Sequence, residues 1–280
     1  MPTETVNGTE LYYEATGDGT PIVFLHGVMM GSRFFSEQET LADEHRPIVL
    51  DFRGHGRSEK TAVGHTLPTY AEDIEAFFEA RRIDDAVLVG WSMGALVGWE
   101  YVDRFGTDRL RGFVVVEQQP ADLERAGYSY GSFDFDGLAE LIELTQTDPH
   151  EIAELYLDRM MKQPLDAERR RRLFDEITRV PPAIKSAILF DQSVRDYRPV
   201  LERVDVPTLV CVGEGESVLE VESVEYVAEH TPDADIEYFS ESDHCPFLEQ
   251  PDRFNRVLDA FVRSLETGAS DSASEESETN

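Results

Sequence analysis

The pentapeptide Gly90-Trp91-Ser92-Met93-Gly94 occurs once in the chain, between the apolar run 86–89 and a helix-like stretch over 95–105. A serine between a strand and a helix can serve as a nucleophile for one physical reason. The turn is too sharp for bulky neighbours, so Gly90 and Gly94 let the backbone pass closely and leave the hydroxyl standing clear at the strand end. The free N–H groups of the following helix favour negative charge that develops beside it. The chemistry such a serine could do is acyl transfer, which also needs a base, an acid that orients the base, and donors for an oxyanion.

Of the seven histidines, His244 fits the base. It lies in Ser-Asp-His-Cys-Pro-Phe, after the last strand candidate and before the final helix, where a loop can reach back to a strand-end serine. His45, His65, His150 and His230 occupy polar loop or helix-edge settings that solvent exposure would explain, and His55 sits in a glycine-rich turn where a structural role fits better. His26-Gly27 closes the strand candidate 22–25, which puts the amide of Val28 in place as one oxyanion donor. The amide of Met93, directly after the serine, is the second. His26 then positions the turn and transfers no proton. Met29, Met30, Trp91 and Phe247 adjoin these turns and would make the pocket apolar, suited to an uncharged acyl or aromatic group. Packing beneath the serine turn is the competing role for Trp91 and Phe247.

These residues need a parallel sheet to bring them together. Short β-rich runs at 22–25, 47–50, 86–89, 113–116, 208–212 and 236–239 alternate with helical patterns near 34–44, 70–82, 95–105, 221–229 and 253–265. In 70–82, Ile74, Phe77 and Phe78 recur on one helix face. A polar-edged run, 10–14, reads as an antiparallel edge strand. Residues 120–206 break the alternation with amphipathic helices, at 138–144, 152–161 and 167–177, and read as a helical lid. The organisation expected is a core of 1–119 and 207–265, the lid at 120–206, and a disordered acidic tail at 266–280.

Taken in order, His26-Gly27, Asp51-x-Arg53-Gly54-His55-Gly56-x-Ser58, the turn at Ser92, Gly213-Glu214-x-Glu216 and His244-Cys-Pro-Phe-Leu-Glu-Gln-Pro resemble the α/β-hydrolase superfamily over roughly residues 6–265. The resemblance implies an α/β fold with a mostly parallel central sheet, flanking helices and an inserted lid. It also implies a serine nucleophile, since the dehalogenase and epoxide hydrolase branches carry aspartate there. The Gly-x-Ser-Met-Gly turn is most similar to esterase-like, metal-free haloperoxidases. In the family the acid usually lies three residues after the glycine ending the penultimate strand, which is Glu216 here, a glutamate where aspartate is usual. Glu117, after the run 113–116, is the rival, because some members take the acid from that strand end. The activity implied is carboxylic ester hydrolysis through an acyl-enzyme, with no metal or organic cofactor. Peroxide as acyl acceptor and carbon–carbon bond hydrolysis are variants on the same triad. A non-catalytic receptor of the same fold is the rival of another class, disfavoured by an intact serine, histidine and oxyanion glycine. Ala95 and Asp243 replace glycines common in the family, and Asp243 reads as an outward-facing, solvated carboxylate.

Composition narrows the partners. Fifty-seven acidic residues stand against 25 basic ones, of which only Lys60, Lys162 and Lys185 are lysines, giving a net charge of −32 spread along the chain. That excess disfavours nucleic acid, which needs a basic face to meet phosphates. It also resembles the surfaces of proteins from salt-loving microbes. No run is long enough to span a bilayer and no leader pattern opens the chain, so a soluble, cytoplasmic protein acting on a small-molecule ester is expected. Cys211 and Cys245 are too few for a disulfide framework or zinc site.

Overall fold

The computed structural model describes residues 2–215 and 217–277, with side chains through 267. Eight strands form one sheet in the order β1-β2-β4-β3-β5-β6-β7-β8. They are β1 (Thr3–Val6), β2 (Thr9–Ala15), β3 (Pro21–Leu25), β4 (Arg46–Leu50), β5 (Ala86–Trp91), β6 (Leu110–Val116), β7 (Thr208–Gly213) and β8 (Ala234–Phe239). From β4 to β8 every neighbouring pair is parallel, and β2 joins β1 and β4 antiparallel. The antiparallel strand expected at 10–14 exists, but it is not the edge: β1 pairs outside it. All six residues of β5 are buried, as an unbroken apolar run in the middle of a parallel sheet must be.

Helices α1 (Leu67–Arg81) and α2 (Met93–Phe105) follow β4 and β5. Thr66 caps α1 by accepting the Thr69 amide at 3.4 Å, and Pro68 occupies its first turn. Ile74, Phe77 and Phe78 are buried on its inner face, as their spacing predicts. Residues 32–43, expected to be helical near 34–44, form 3₁₀ turns over Ser32–Asp43 that are broken by a kink at Phe35, at φ −94° and ψ 25°. Beyond the kink, Gln38 and Leu41 are buried three apart, the spacing of one 3₁₀ face.

Between β6 and β7 the chain inserts α3 (Phe135–Thr147), α4 (Pro149–Arg159), α5 (Ala167–Thr178), α6 (Pro182–Ser193) and α7 (Arg198–Leu201). Two isolated bridges, Leu123↔Phe133 and Arg125↔Tyr128, precede α3, so the insertion is not wholly helical. The last elements are α8 (Val221–His230), α9 (Pro246–Glu249) and α10 (Pro251–Ser277). α10 carries the backbone helically through most of the segment expected to be without structure, as far as Ser277. Its packed beginning, with Phe254, Leu258 and Val262 buried, supplies the nucleus from which a helix propagates at little cost per residue. Residues 278–280 lie outside the described residues. Among those described, no helix is long and apolar enough to cross a membrane.

The charge has a consequence for this fold. Many arginines sit in exposed ion pairs, such as Arg104 with Glu72 at 2.8 Å and Arg263 with Glu44 at 3.2 Å. Such pairs contribute little individually, while a net charge of −32 repels itself over the whole surface. At about 1 M salt the Debye length falls to about 3 Å, and the repulsion is the larger effect removed. The urea midpoint of unfolding is therefore expected to rise between about 0.1 M and about 1 M KCl. An unchanged or lower midpoint would contradict this weighing.

Candidate active site

Ser92 occupies a strained position between β5 and α2, at φ +53° and ψ −125°. A non-glycine residue adopts such a backbone only where its surroundings over-determine it. Here the Ser92 amide donates to the Val116 carbonyl at 3.0 Å, and its carbonyl accepts the Ala95 amide at 2.8 Å. The flanking glycines are dictated by space. A Cβ on Gly94 would lie 2.1 Å from the Leu25 carbonyl oxygen, and one on Gly90 would lie 2.6 Å from the backbone of Ala95. The turn thus presses against β3 and its own helix, and the serine stands where α2 begins.

The turn after β3 is built as tightly. The Met30 amide donates to Gly27 O at 3.2 Å, with Met29 at φ +64°, a value unusual for a residue with a side chain. His26 sets this turn from below. Its Nδ1–H donates to Gly27 O at 2.8 Å, and its Nε2 accepts the Phe52 amide at 3.1 Å. Those partners fix one neutral tautomer, and burial pushes its pKa down to about 4. A positioning role for His26 follows. Met93 opens α2, and the first amides of a helix have no partner within it.

His244 is gripped from both layers. Its amide donates to Met160 O at 3.1 Å, at the end of α4, and its carbonyl accepts Nε1–H of Trp91 at 2.8 Å. Its Nδ1 faces Oε2 of Glu117 at 3.4 Å, a long contact. Glu117 follows β6 directly, at φ +49°, and its other oxygen, Oε1, accepts the Gly213 amide at 2.6 Å. Burial pushes the Glu117 carboxyl up, against the opposing pull of His244 and that amide.

Glu216 lies outside the described residues. Its neighbours are held by Asp243, whose Oδ1 accepts the Ser217 amide at 3.3 Å. Asp243 is accordingly buried and braces this loop, where the sequence suggested a solvated, outward carboxylate. Two of the histidines expected at the surface are also buried: His45 pairs with Asp259 at 2.7 Å, and His65 donates to Thr61 O at 2.9 Å. In each case a local polar partner replaces water. His55 is buried in its loop, with Nδ1–H donating to Arg53 O at 3.1 Å, as a structural role requires. Cys211 lies in β7, and both cysteines are free and buried.

Ser92, His244, Gly27 and Val28 open into one cavity of about 160 Å³. Met30 and Trp91 line it as expected, but Met29 and Phe247 do not. Met29 is buried within its turn, and Phe247 is used in packing, its ring 4.9 Å from those of Trp91 and Phe35. Much of the remaining wall comes from the insertion, including Phe133, Leu155 and Leu189. A polar group that sequence reasoning did not single out, Gln118, Asp122 and Gln192, also faces this space. The only signal for it was a run of polar residues immediately after β6, Glu117-Gln118-Gln119, where a parallel sheet presents its functional end.

Comparison with known proteins bears on the family and the fold. Residues 22–257 match the alpha/beta hydrolase family. A non-heme chloroperoxidase of Kitasatospora aureofaciens is 27% identical over 271 residues, covering 92% of this chain and 98% of the relative. Among solved structures, an esterase from Exiguobacterium antarcticum superimposes with a TM-score of 0.89 at 26% identity, covering 93% of this chain and 98% of that one. An esterase from a Rhodococcus species gives 0.81 at 28% identity, covering 94% and 98%. The chain belongs to the alpha/beta hydrolase family.

Proposed function

We propose that the protein hydrolyses small carboxylic esters by way of an acyl-enzyme on Ser92. The observation that carries this reading is a serine held at positive φ on a helix N-terminus, opening into the same cavity as a histidine braced by a buried carboxylate. Ser92 Oγ attacks the ester carbonyl while Nε2 of His244 takes its proton. The amides of Val28 and Met93 receive the oxyanion, and His244 returns the proton to the departing alcohol. Water, activated by the same imidazole, then releases the acid. Glu117 holds Nδ1–H of His244 and stabilises the imidazolium. Its contact with the imidazole supports Glu117 for this role over Glu216, the position the family pattern favours.

The test is turnover of p-nitrophenyl acetate and butyrate by the wild type in about 1 M KCl, where surface repulsion is screened. Hydrolysis well above the buffer rate is expected. A folded protein that turns over neither ester would overturn the reading. The chloroperoxidase relative favours one variant, in which hydrogen peroxide replaces water and the acyl-enzyme yields a peracid. Bromide oxidation dependent on both peroxide and an acyl donor would reveal it.

A further inference from the structure

The polar group in the cavity is not needed for the serine chemistry, yet it is built with care. Asp122 lies in the loop after β6 and is only 6% exposed. Nε2–H of Gln118 donates to its Oδ1 at 2.9 Å, and Nε2–H of Gln192, on α6, donates to its Oδ2 at 2.9 Å. Gln118 is itself fixed by a second bond to Gln119 O at 2.8 Å. Each carboxylate oxygen offers two lone-pair directions, so after both amides are counted Asp122 can still accept on either oxygen. Beside it, Oε1 of Gln192 is buried and has no donor among the described residues. Acceptors therefore outnumber donors at this point of the wall. A buried acceptor left without a donor is costly, and such a cluster is satisfied by a donor brought from outside. The wall around it mixes apolar side chains, Phe133, Leu155 and Leu189, with polar ones, among them Tyr156 and Arg159, and the Asp122 cluster is the buried, acceptor-rich point of it that can fix orientation.

We infer that the preferred substrate is an ester carrying a hydroxyl or N–H donor that Asp122 and Gln192 receive, and that esters bearing a second carboxylate are rejected. This rests on the hydrolase reading for its chemistry, though not for the binding preference. Burial pushes the Asp122 carboxyl up, against the opposing pull of the two amides, His244 and Arg125. A substrate carboxylate placed there would set its oxygens against those of Asp122 and the spare Gln192 oxygen, with no donor between them. Arg159 lines the same cavity and would favour the opposite selectivity, which makes the carboxylate comparison decisive.

Three para-substituted methyl phenylacetates separate the cases: the matched pair methyl 4-hydroxyphenylacetate and methyl 4-methylphenylacetate, and the bulkier methyl 4-carboxyphenylacetate. The hydroxyl ester is expected to exceed the methyl ester in kcat/KM by about tenfold or more, mainly through KM, since hydrogen bonds to a charged acceptor are among the stronger ones. The carboxylate ester should be poorest. In Asp122→Asn and in Gln192→Leu the hydroxyl-to-methyl ratio is expected to fall to about threefold or less. A purely structural tie between loop and α6 would slow all three esters alike and leave the ratio intact. Equal kcat/KM for hydroxyl and methyl esters in the wild type, or a preference for the carboxylate, would overturn the inference. Calorimetric binding of the same esters to Ser92→Ala separates the two claims. If the wild type cleaves none of them and neither p-nitrophenyl ester, the hydrolase reading fails. Tighter binding of the hydroxyl ester would still uphold the donor site, and equal affinities would overturn it.

Discussion

Ser92→Ala is expected to lower kcat on p-nitrophenyl butyrate by at least about 10⁴-fold while leaving the protein folded. The substitution removes one oxygen and keeps the Cβ, so the alanine inherits the same positive φ and the same backbone hydrogen bonds to Val116 and Ala95. Nothing in the packing of Gly90 and Gly94 against β3 and α2 changes. What is lost is the only atom proposed to form a bond to the acyl carbon. The residual rate would come from the oxyanion donors and substrate binding alone. Comparison of kcat with far-ultraviolet circular dichroism checks both halves. A variant that kept more than about a tenth of wild-type kcat would place the nucleophile elsewhere.

Glu117→Gln is expected to cost about 10³–10⁴-fold in kcat, through the tautomer of His244. In the wild type Oε1 accepts the Gly213 amide while Oε2 faces Nδ1–H of the imidazole. A glutamine has only one acceptor oxygen. If that oxygen stays on the Gly213 amide, the NH₂ group faces Nδ1 and forces it to accept. The ring proton then moves to Nε2, which can no longer take the proton of Ser92. Stability should move the other way or not at all, because burial already pushes the Glu117 carboxyl toward its neutral form and glutamine carries no charge to bury. Glu216→Gln serves as the comparison and is expected to stay within about threefold of wild type. Loss of activity in Glu216→Gln with Glu117→Gln near normal would return the acid role to the position that the family pattern favours.

The parallel core was legible because its strands are short, wholly apolar runs with a serine turn at the end of one. That is why β5 and the Ser92 turn stand where the sequence put them. β1 was missed because Thr3–Val6 is short, largely exposed and at the edge, with no alternation to mark it. The helix at 34–44 was legible, but its 3₁₀ character and the kink at Phe35 were not, because residues spaced by three, such as Gln38 and Leu41, fit both helix types. Ser92 and His244 could be singled out as candidates because each sits in a local motif. Between Glu216 and Glu117 the sequence could not choose an acid, since Glu117 meets His244 across 127 positions of chain and no spacing rule records that contact. Phe247 failed as a pocket residue for a related reason: an aromatic beside a catalytic loop packs equally well beneath it or into the cavity, and only its neighbours Trp91 and Phe35 decide. The Asp122 cluster joins a loop to α6 and had no motif to announce it.

The most direct test of the serine mechanism is labelling of the folded wild type with a fluorophosphonate, followed by mass mapping of the modified peptide. An activated hydroxyl whose proton His244 accepts should attack phosphorus promptly and leave the adduct on Ser92, with far slower labelling in Glu117→Gln. A folded protein that resists the reagent, or carries the adduct on any other residue, would contradict the account.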